Sequence, residues 1–273
     1  MKRCKVGSIN RRLWARVAVV ICLFGVSSLG CRPAVSPSRQ AGPIRANMTL
    51  ESFSKAKRAL YKLYADSGAT FYCGCAFNER KIEQEQCGFK SRRFAERARR
   101  TEVEHVVPAH AFGQAFTSWR NGHQRCVDKK GRAFKGRRCA ERISREFRLM
   151  SADLHNLRPT VGAVNAIRKN YRMAELAGEP RHFGDCDMEV LGRKFEPSRD
   201  IQGDVARIYF YMEAAYPNRG IISKAQRKLF LAWHKRDPVS ASERTLSARI
   251  AAVQGNENPF VTSGRLPAWA VSE

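Results

Sequence analysis

The sequence is short of acidic residues. Fifty of its 273 residues are Lys or Arg against 25 Asp or Glu, a formal charge of +25. It is equally short of apolar runs: the only one lies at the N-terminus, which excludes a multi-pass membrane protein. A hydrophobic fraction of 43% excludes a disordered polycation. No internal repeat, Cys-x-x-Cys pair or His-Glu-x-x-His helix is present. That argues against a zinc knuckle, and against the rival reading of a zinc hydrolase, since His105 and His110 stand five apart with no Glu after His105. Homeodomain-like helices and aromatic RNA-recognition signatures are missing too, so nothing is built to read base sequence.

The apolar run belongs to a leader. Lys2, Arg3, Lys5, Arg11, Arg12 and Arg16 precede Val17 to Val26, too short a stretch to span a bilayer, and small or polar residues follow. Residues 1–30 read as a signal peptide for export to the periplasm or the medium. Gly30-Cys31 resembles the end of a lipoprotein signal and would make Cys31 a membrane anchor, although Ser28 and Leu29 depart from that pattern. Beyond the leader and Cys31 lie Cys73, Cys75, Cys87, Cys126, Cys139 and Cys186, an even set suited to three disulfides in an oxidising compartment. Their pairing is open, although a Cys126–Cys139 bridge could staple a basic loop. The leader holds six basic and no acidic residues, so the exported chain keeps a charge of about +19 and should seek polyanions.

Residues 31–48, with Pro33, Pro37, Gly42 and Pro43, read as a flexible tether. A folded domain is expected over 49–262, with 263–273 as a tail. Phe53, Ala56, Leu60, Leu63 and Tyr64 have helical spacing; Thr70 to Cys75 and Val103 to Val107 look like strands. Past residue 200 three helices are expected. Asp204 would cap the first, which ends at Pro217; Ser223 would cap the second, which stops before Pro238; Ser242 would cap the third, ended by Gly255. Two basic runs, Lys90 to Arg100 and Lys129 to Arg148, carry six and nine Lys or Arg. Either alone reads as a solvated face, but together they flank the most unusual segment of the chain.

That segment is Thr101-Glu102-Val103-Glu104-His105-Val106-Val107-Pro108. Three ionisable groups in four positions of a half-buried strand are costly unless a metal, a phosphate or solvent compensates them. Carboxylate is a hard ligand suited to Mg²⁺ or Ca²⁺, and histidine can take a proton from water. Neighbours on a regular strand face opposite ways, so a shared site requires a turn or bulge there. In Asp153-Leu154-His155-Asn156-Leu157-Arg158-Pro159, Asn156 could supply a second hard oxygen, or simply satisfy a turn.

Glu104-His105-Val106-Val107-Pro108-Ala109 with Phe112-Gly113 resembles the signature of the endonuclease I family of exported bacterial nucleases. Four further blocks resemble it in order. They are Asp153 to Leu157 with Gly162-Ala163-Val164-Asn165, Ala206 to Met212, Leu229 to Trp233, and Gln254 to Val261. Together they span roughly residues 50 to 262.

The resemblance implies an α+β fold, mostly helical with short strands, braced by disulfides around a ββα-metal nuclease core. It implies His105 as general base, Glu104 and Asn156 as ligands of Mg²⁺ (or Ca²⁺), and a basic residue before Cys126 as phosphate clamp. Arg125 fits that place best, with Arg120 as the alternative, and Glu102 stands at most behind the ligands. The implied activity is metal-dependent, non-specific hydrolysis of DNA, and of RNA, by a monomer, leaving 5′-phosphate ends. The competing reading is a non-catalytic exported cationic protein that binds nucleic acid without cutting it.

Overall fold

The computed structural model describes residues 43–65, 68–178 and 181–271. The leader, Cys31 and most of the tether lie outside these residues. Where the chain enters, Asn47 is fully buried, its amide nitrogen donating to Leu50 O (2.7 Å) and Leu149 O (2.9 Å), so the folded part begins before residue 49.

Helix α1 (Phe53–Leu63) starts at Ser52, whose hydroxyl accepts from Lys55 N, and buries Ala56 and Leu60 one turn apart. Three short strands follow: β1 (Gly68–Ala69), β2 (Ala76–Asn78) and β3 (Lys81–Ile82), paired antiparallel. The strand expected over Thr70 to Cys75 is instead the turn joining β1 to β2. Gly74 sits at φ +63°, and Thr70 bonds Gly74 N and Cys75 N, so the chain folds back instead of extending.

The centre of the fold is strand β4 (Thr101–His105) paired antiparallel with β5 (Leu157–Val161). Glu104 lies opposite Arg158, and His105 opposite Leu157. Between them in sequence lie α2 (Arg137–Ile143) and α3 (Arg145–Ser151). Helix α4 (Gly162–Arg168) follows β5 with no intervening loop and lies against the strand pair. Then come β6 (Arg172–Met173), β7 (Glu189–Leu191) and β8 (Lys194–Glu196), with β8 in the middle.

Three long helices close the molecule: α5 (Gln202–Ala215), α6 (Lys224–Arg236) and α7 (Ala241–Gln254). Helix α5 is buried nearly all round, from Val205 to Met212, as a central core helix must be. Two of the expected caps are displaced. Asp204 lies inside the first turn of α5, bonded to Arg207 (2.9 Å), because a 3₁₀ turn capped by Ser198 feeds the helix from Arg199. Helix α7 is capped by Ser240, which accepts from Glu243 N, while the Ser242 hydroxyl bonds back to Ser240. Ser223 does precede α6, and Gly255, at φ +83°, ends α7.

All six expected cysteines are paired: Cys73–Cys186, Cys75–Cys87 and Cys126–Cys139. The fold is α+β, largely helical and disulfide-braced.

Candidate active site

Strand β4 ends where the chemistry begins. After His105 the chain leaves the strand pair: Val106 N donates to Asn156 O, and Val107 N to the Asn156 side chain (2.7 Å). Glu104 and His105, neighbours at the end of the ladder, both line one cavity of about 880 Å³. Seven Lys and Arg side chains line it, among them Lys57 and Arg58 of α1, Arg137 of α2 and Arg168 of α4, against the carboxylates of Glu102 and Glu104. This excess is what a polyanion-binding cleft requires.

His105 is buried, its ring stacked 4.8 Å from that of Phe53. Its Nε2 lies 2.8 Å from Ser151 O. A carbonyl only accepts, so Nε2 carries the proton and the neutral ring keeps its lone pair on Nδ1. Burial drives the imidazole pKa down to about 3, and the Arg137 charge pushes the same way. The ring is therefore neutral at neutral pH.

Glu104 is buried as well. Burial raises its pKa to about 7, partly offset by Arg168, whose Nη1 is 3.1 Å from Oε1. That approach is not angled as a hydrogen bond, and Oε1 has no hydrogen-bond partner. Fully buried Arg168 donates to Val106 O (2.5 Å) and Lys169 O (3.1 Å); burial works against its charge, but Glu104, Tyr72 and Tyr209 together outweigh that and keep it protonated. A buried carboxylate with an unused oxygen is a strained arrangement for a purely structural group.

Glu102 also lines the cavity, but it is engaged. Arg97 grips both its oxygens (2.9 and 2.5 Å), and Asn165 Nδ2 donates to Oε2 (2.9 Å). Burial raises its pKa, but the bonds to Arg97 and Asn165 outweigh that and leave it lowered.

Two expected residues lie elsewhere. Asn156 is fully buried and its amide is consumed by one neighbour, Oδ1 accepting from Val107 N and Nδ2 donating to Val107 O (3.0 Å). It pins the end of β4 and does not line the cavity. Arg125 is exposed just before the loop closed by Cys126–Cys139 and Arg120 is bonded back to Gln114 O; neither lines the cavity.

Among the residues that do line the cavity are Asn165 and Arg137. Asn165 and Arg168 are spaced i and i+3 on α4 and both line the cavity, as does Lys169 just past the end of the helix. Arg137 lies with its guanidinium 5.0 Å from the Phe53 ring centroid and its Nε bonded to Glu141. Of the second basic run only Arg137 lines this cavity; Arg145 and Arg148 pair with Glu51, and Arg142 bonds the loop carbonyls of Arg125 and Val127.

These features define a disulfide-braced α+β protein whose basic cleft is organised round a carboxylate–imidazole pair. The family model for endonuclease I matches residues 47–265, and the chain belongs to that family. It is 38% identical over 241 residues to a periplasmic deoxyribonuclease of Aeromonas hydrophila, covering 86% of this chain and 92% of the relative. It is likewise 38% identical over 219 residues to an extracellular deoxyribonuclease of that organism, covering 78% and 88%. An endonuclease-1 of Buchnera aphidicola (subsp. Acyrthosiphon pisum) is 35% identical over 220 residues, covering 78% and 81%.

Proposed function

We propose that the protein is an exported, divalent-metal-dependent endonuclease that hydrolyses phosphodiester bonds of DNA, and of RNA, without sequence preference. The observation that carries this reading is the juxtaposition of Glu104 and His105 in the lining of the basic cavity, with Glu104 Oε1 buried, ion-paired to Arg168 and accepting no hydrogen bond. Membership of the endonuclease I family and the names of its exported deoxyribonuclease relatives support it.

The strand pair β4–β5 running into α4 serves as the ββα-metal core. A cation is suited by hard oxygens, here the Glu104 oxygen that accepts no hydrogen bond and the Asn165 amide oxygen, whose nitrogen is held by Glu102. Among the described residues no three His, Cys, Asp or Glu side chains cluster as a metal cage. That donor set suits Mg²⁺, which keeps several waters and relies on one or two protein oxygens plus substrate phosphate. When bound, the ion would supply Lewis-acid stabilisation of the charge on the phosphorus oxygens and the leaving 3′-oxygen.

The chain's own residues do the rest. His105, with its proton fixed on Nε2 by Ser151 O, presents Nδ1 to take a proton from the attacking water. An incoming phosphodiester brings negative charge beside the ring and raises its basicity. Arg137, positioned by Phe53 and Glu141, offers a planar donor pair to the scissile phosphate in place of Arg125. The other cations hold the backbone on either side and read no base. The test is nicking of supercoiled plasmid by oxidised protein with Mg²⁺. EDTA should abolish it, and His105→Ala should slow it by at least about 10²-fold. Plasmid that is bound but uncut by the wild type would leave only a binding protein.

A further inference from the structure

The cleft does not end at the catalytic pair. A second depression, lined by His110, Asn170, Tyr171, Arg172, Gly192, Arg193 and Lys194, shares His110 and Asn170 with the first, so the two form one continuous basin. Its far wall is the hairpin turn between β7 and β8, where Gly192 (φ +55°) and Arg193 (φ +63°) both adopt the left-handed conformation. Left-handed backbone at a bulky residue is unusual, and here it sits at a tip that carries cations. Arg172, Arg193 and Lys194 are exposed, no carboxylate lines this part of the basin, and among the described residues none of the three forms an ion pair. The arm is also held in place. Strand β8 pairs with both β6 and β7, and the segment leading into β7 is tied by Cys73–Cys186. Lys169 Nζ, at the junction, lies 5.7 Å from the Tyr171 ring centroid and so keeps positive charge along the path.

We propose that the arm bearing Arg172, Arg193 and Lys194 is a phosphate-binding subsite, occupied by the polynucleotide strand beyond the scissile bond, which makes the enzyme prefer long chains to short fragments. Unpaired guanidinium and ammonium groups on a rigid hairpin suit the repeating monoanionic phosphates of a nucleic-acid backbone. The inference rests on the nuclease reading of the basin and adds to it a second place where the substrate is held.

The test compares wild type with the double variant Arg193→Ala, Lys194→Ala on a 30-base-pair duplex and on a six-nucleotide single strand. Both side chains are exposed, Arg193 in the turn and Lys194 at the first residue of β8, so melting temperature should be unchanged and serves as the folding control. The variant should show a raised KM for the duplex with kcat unchanged, and little change on the short strand. Each lost phosphate contact lowers the log–log salt slope by about 0.9, so two contacts make duplex affinity about 12-fold less salt-sensitive between 50 and 200 mM. Equal KM and equal salt slope in variant and wild type would overturn the subsite. Binding measured by fluorescence anisotropy in EDTA separates the two ideas. A wild type that binds but never cuts ends the nuclease reading, while the arm still stands or falls on the slope difference.

Discussion

Changing Asp153 to Asn replaces one oxygen by an NH₂ group, yet the structure assigns the exchange a large cost. The carboxylate is fully buried and accepts four hydrogen bonds. Tyr211 and Tyr216 hydroxyls donate to Oδ2 (2.7 Å each), and His155 N (3.0 Å) and Gln254 Nε2 (2.9 Å) donate to Oδ1. An amide has one accepting oxygen, so either orientation points NH₂ at two donors. The cheaper orientation faces the tyrosines, whose hydroxyls already accept from Asn256 Nδ2 and Asn47 N and would lose their only acceptor. Two orphaned buried donors at about 1–3 kcal/mol each give a loss of about 2–6 kcal/mol. For a domain of this size that is a fall in Tm of roughly 4–24 °C. The assay is urea and thermal unfolding of oxidised protein, with Tyr216→Phe and the double variant as a cycle. Removing the Tyr216 hydroxyl also removes one clash, so the double variant should be less destabilised than the sum of the singles. Asp153→Asn within about 0.5 kcal/mol of wild type, or strict additivity, would refute the network reasoning.

Arg137→Ala should lower kcat on duplex DNA by at least about 10²-fold, in line with loss of a transition-state phosphate donor, whereas Arg125→Ala should leave kcat close to wild type; equal losses would put the clamp elsewhere. Asn165→Ala should weaken Mg²⁺ binding, read as a higher metal concentration for half-maximal nicking, while Asn156→Ala should show itself first as reduced thermal stability. His155 is buried with its pKa held below 6.5 by desolvation, so the native state refuses a proton that the unfolded chain accepts. Its contribution is present above pH 6.5 and is lost as pH falls below it. The stability difference between wild type and His155→Gln should then shrink by up to about 1.4 kcal/mol per pH unit, and a flat difference between pH 7.5 and 5 would exclude this. Complete reduction should destabilise the fold severely, since Cys73–Cys186 closes 113 residues and a loop of about 100 is worth about 4.7 kcal/mol. Full activity with all six thiols titratable would contradict it.

Much of this was legible in the chain. The spacing of Phe53, Ala56 and Leu60 gives α1, Pro238 and Gly255 stop α6 and α7, and the ionisable crowd from Glu102 to His105 marks the cavity floor. What sequence could not resolve was that the Asn156 amide is fully consumed while Asn165 lines the cavity. Both Asn156 and Asn165 lie in apolar surroundings, but the partner that consumes the Asn156 amide is Val107, forty-nine residues away in sequence. Arg125 stands beside Cys126 in sequence, yet it is Arg137, two residues before Cys139 at the start of α2, that lines the cleft. Local caps misled for a similar reason: Asp204 has the right chemistry to begin a helix, but a 3₁₀ turn starts the winding before it.

The Cys73-Gly74-Cys75 step has a consequence for how the protein matures. Two thiols two residues apart must take different partners, Cys75 the nearby Cys87 and Cys73 the distant Cys186. During N-to-C translocation the first three of these emerge long before Cys186. A Cys73–Cys87 bond closes a loop only two residues longer than the native Cys75–Cys87 bond, so loop entropy hardly separates the two. An oxidant alone would trap both isomers, and reaching the native set requires thiolate attack on a bond already made. The yield of active protein should therefore depend on a disulfide isomerase in the compartment that receives it, and on how long an unpaired Cys73 survives there.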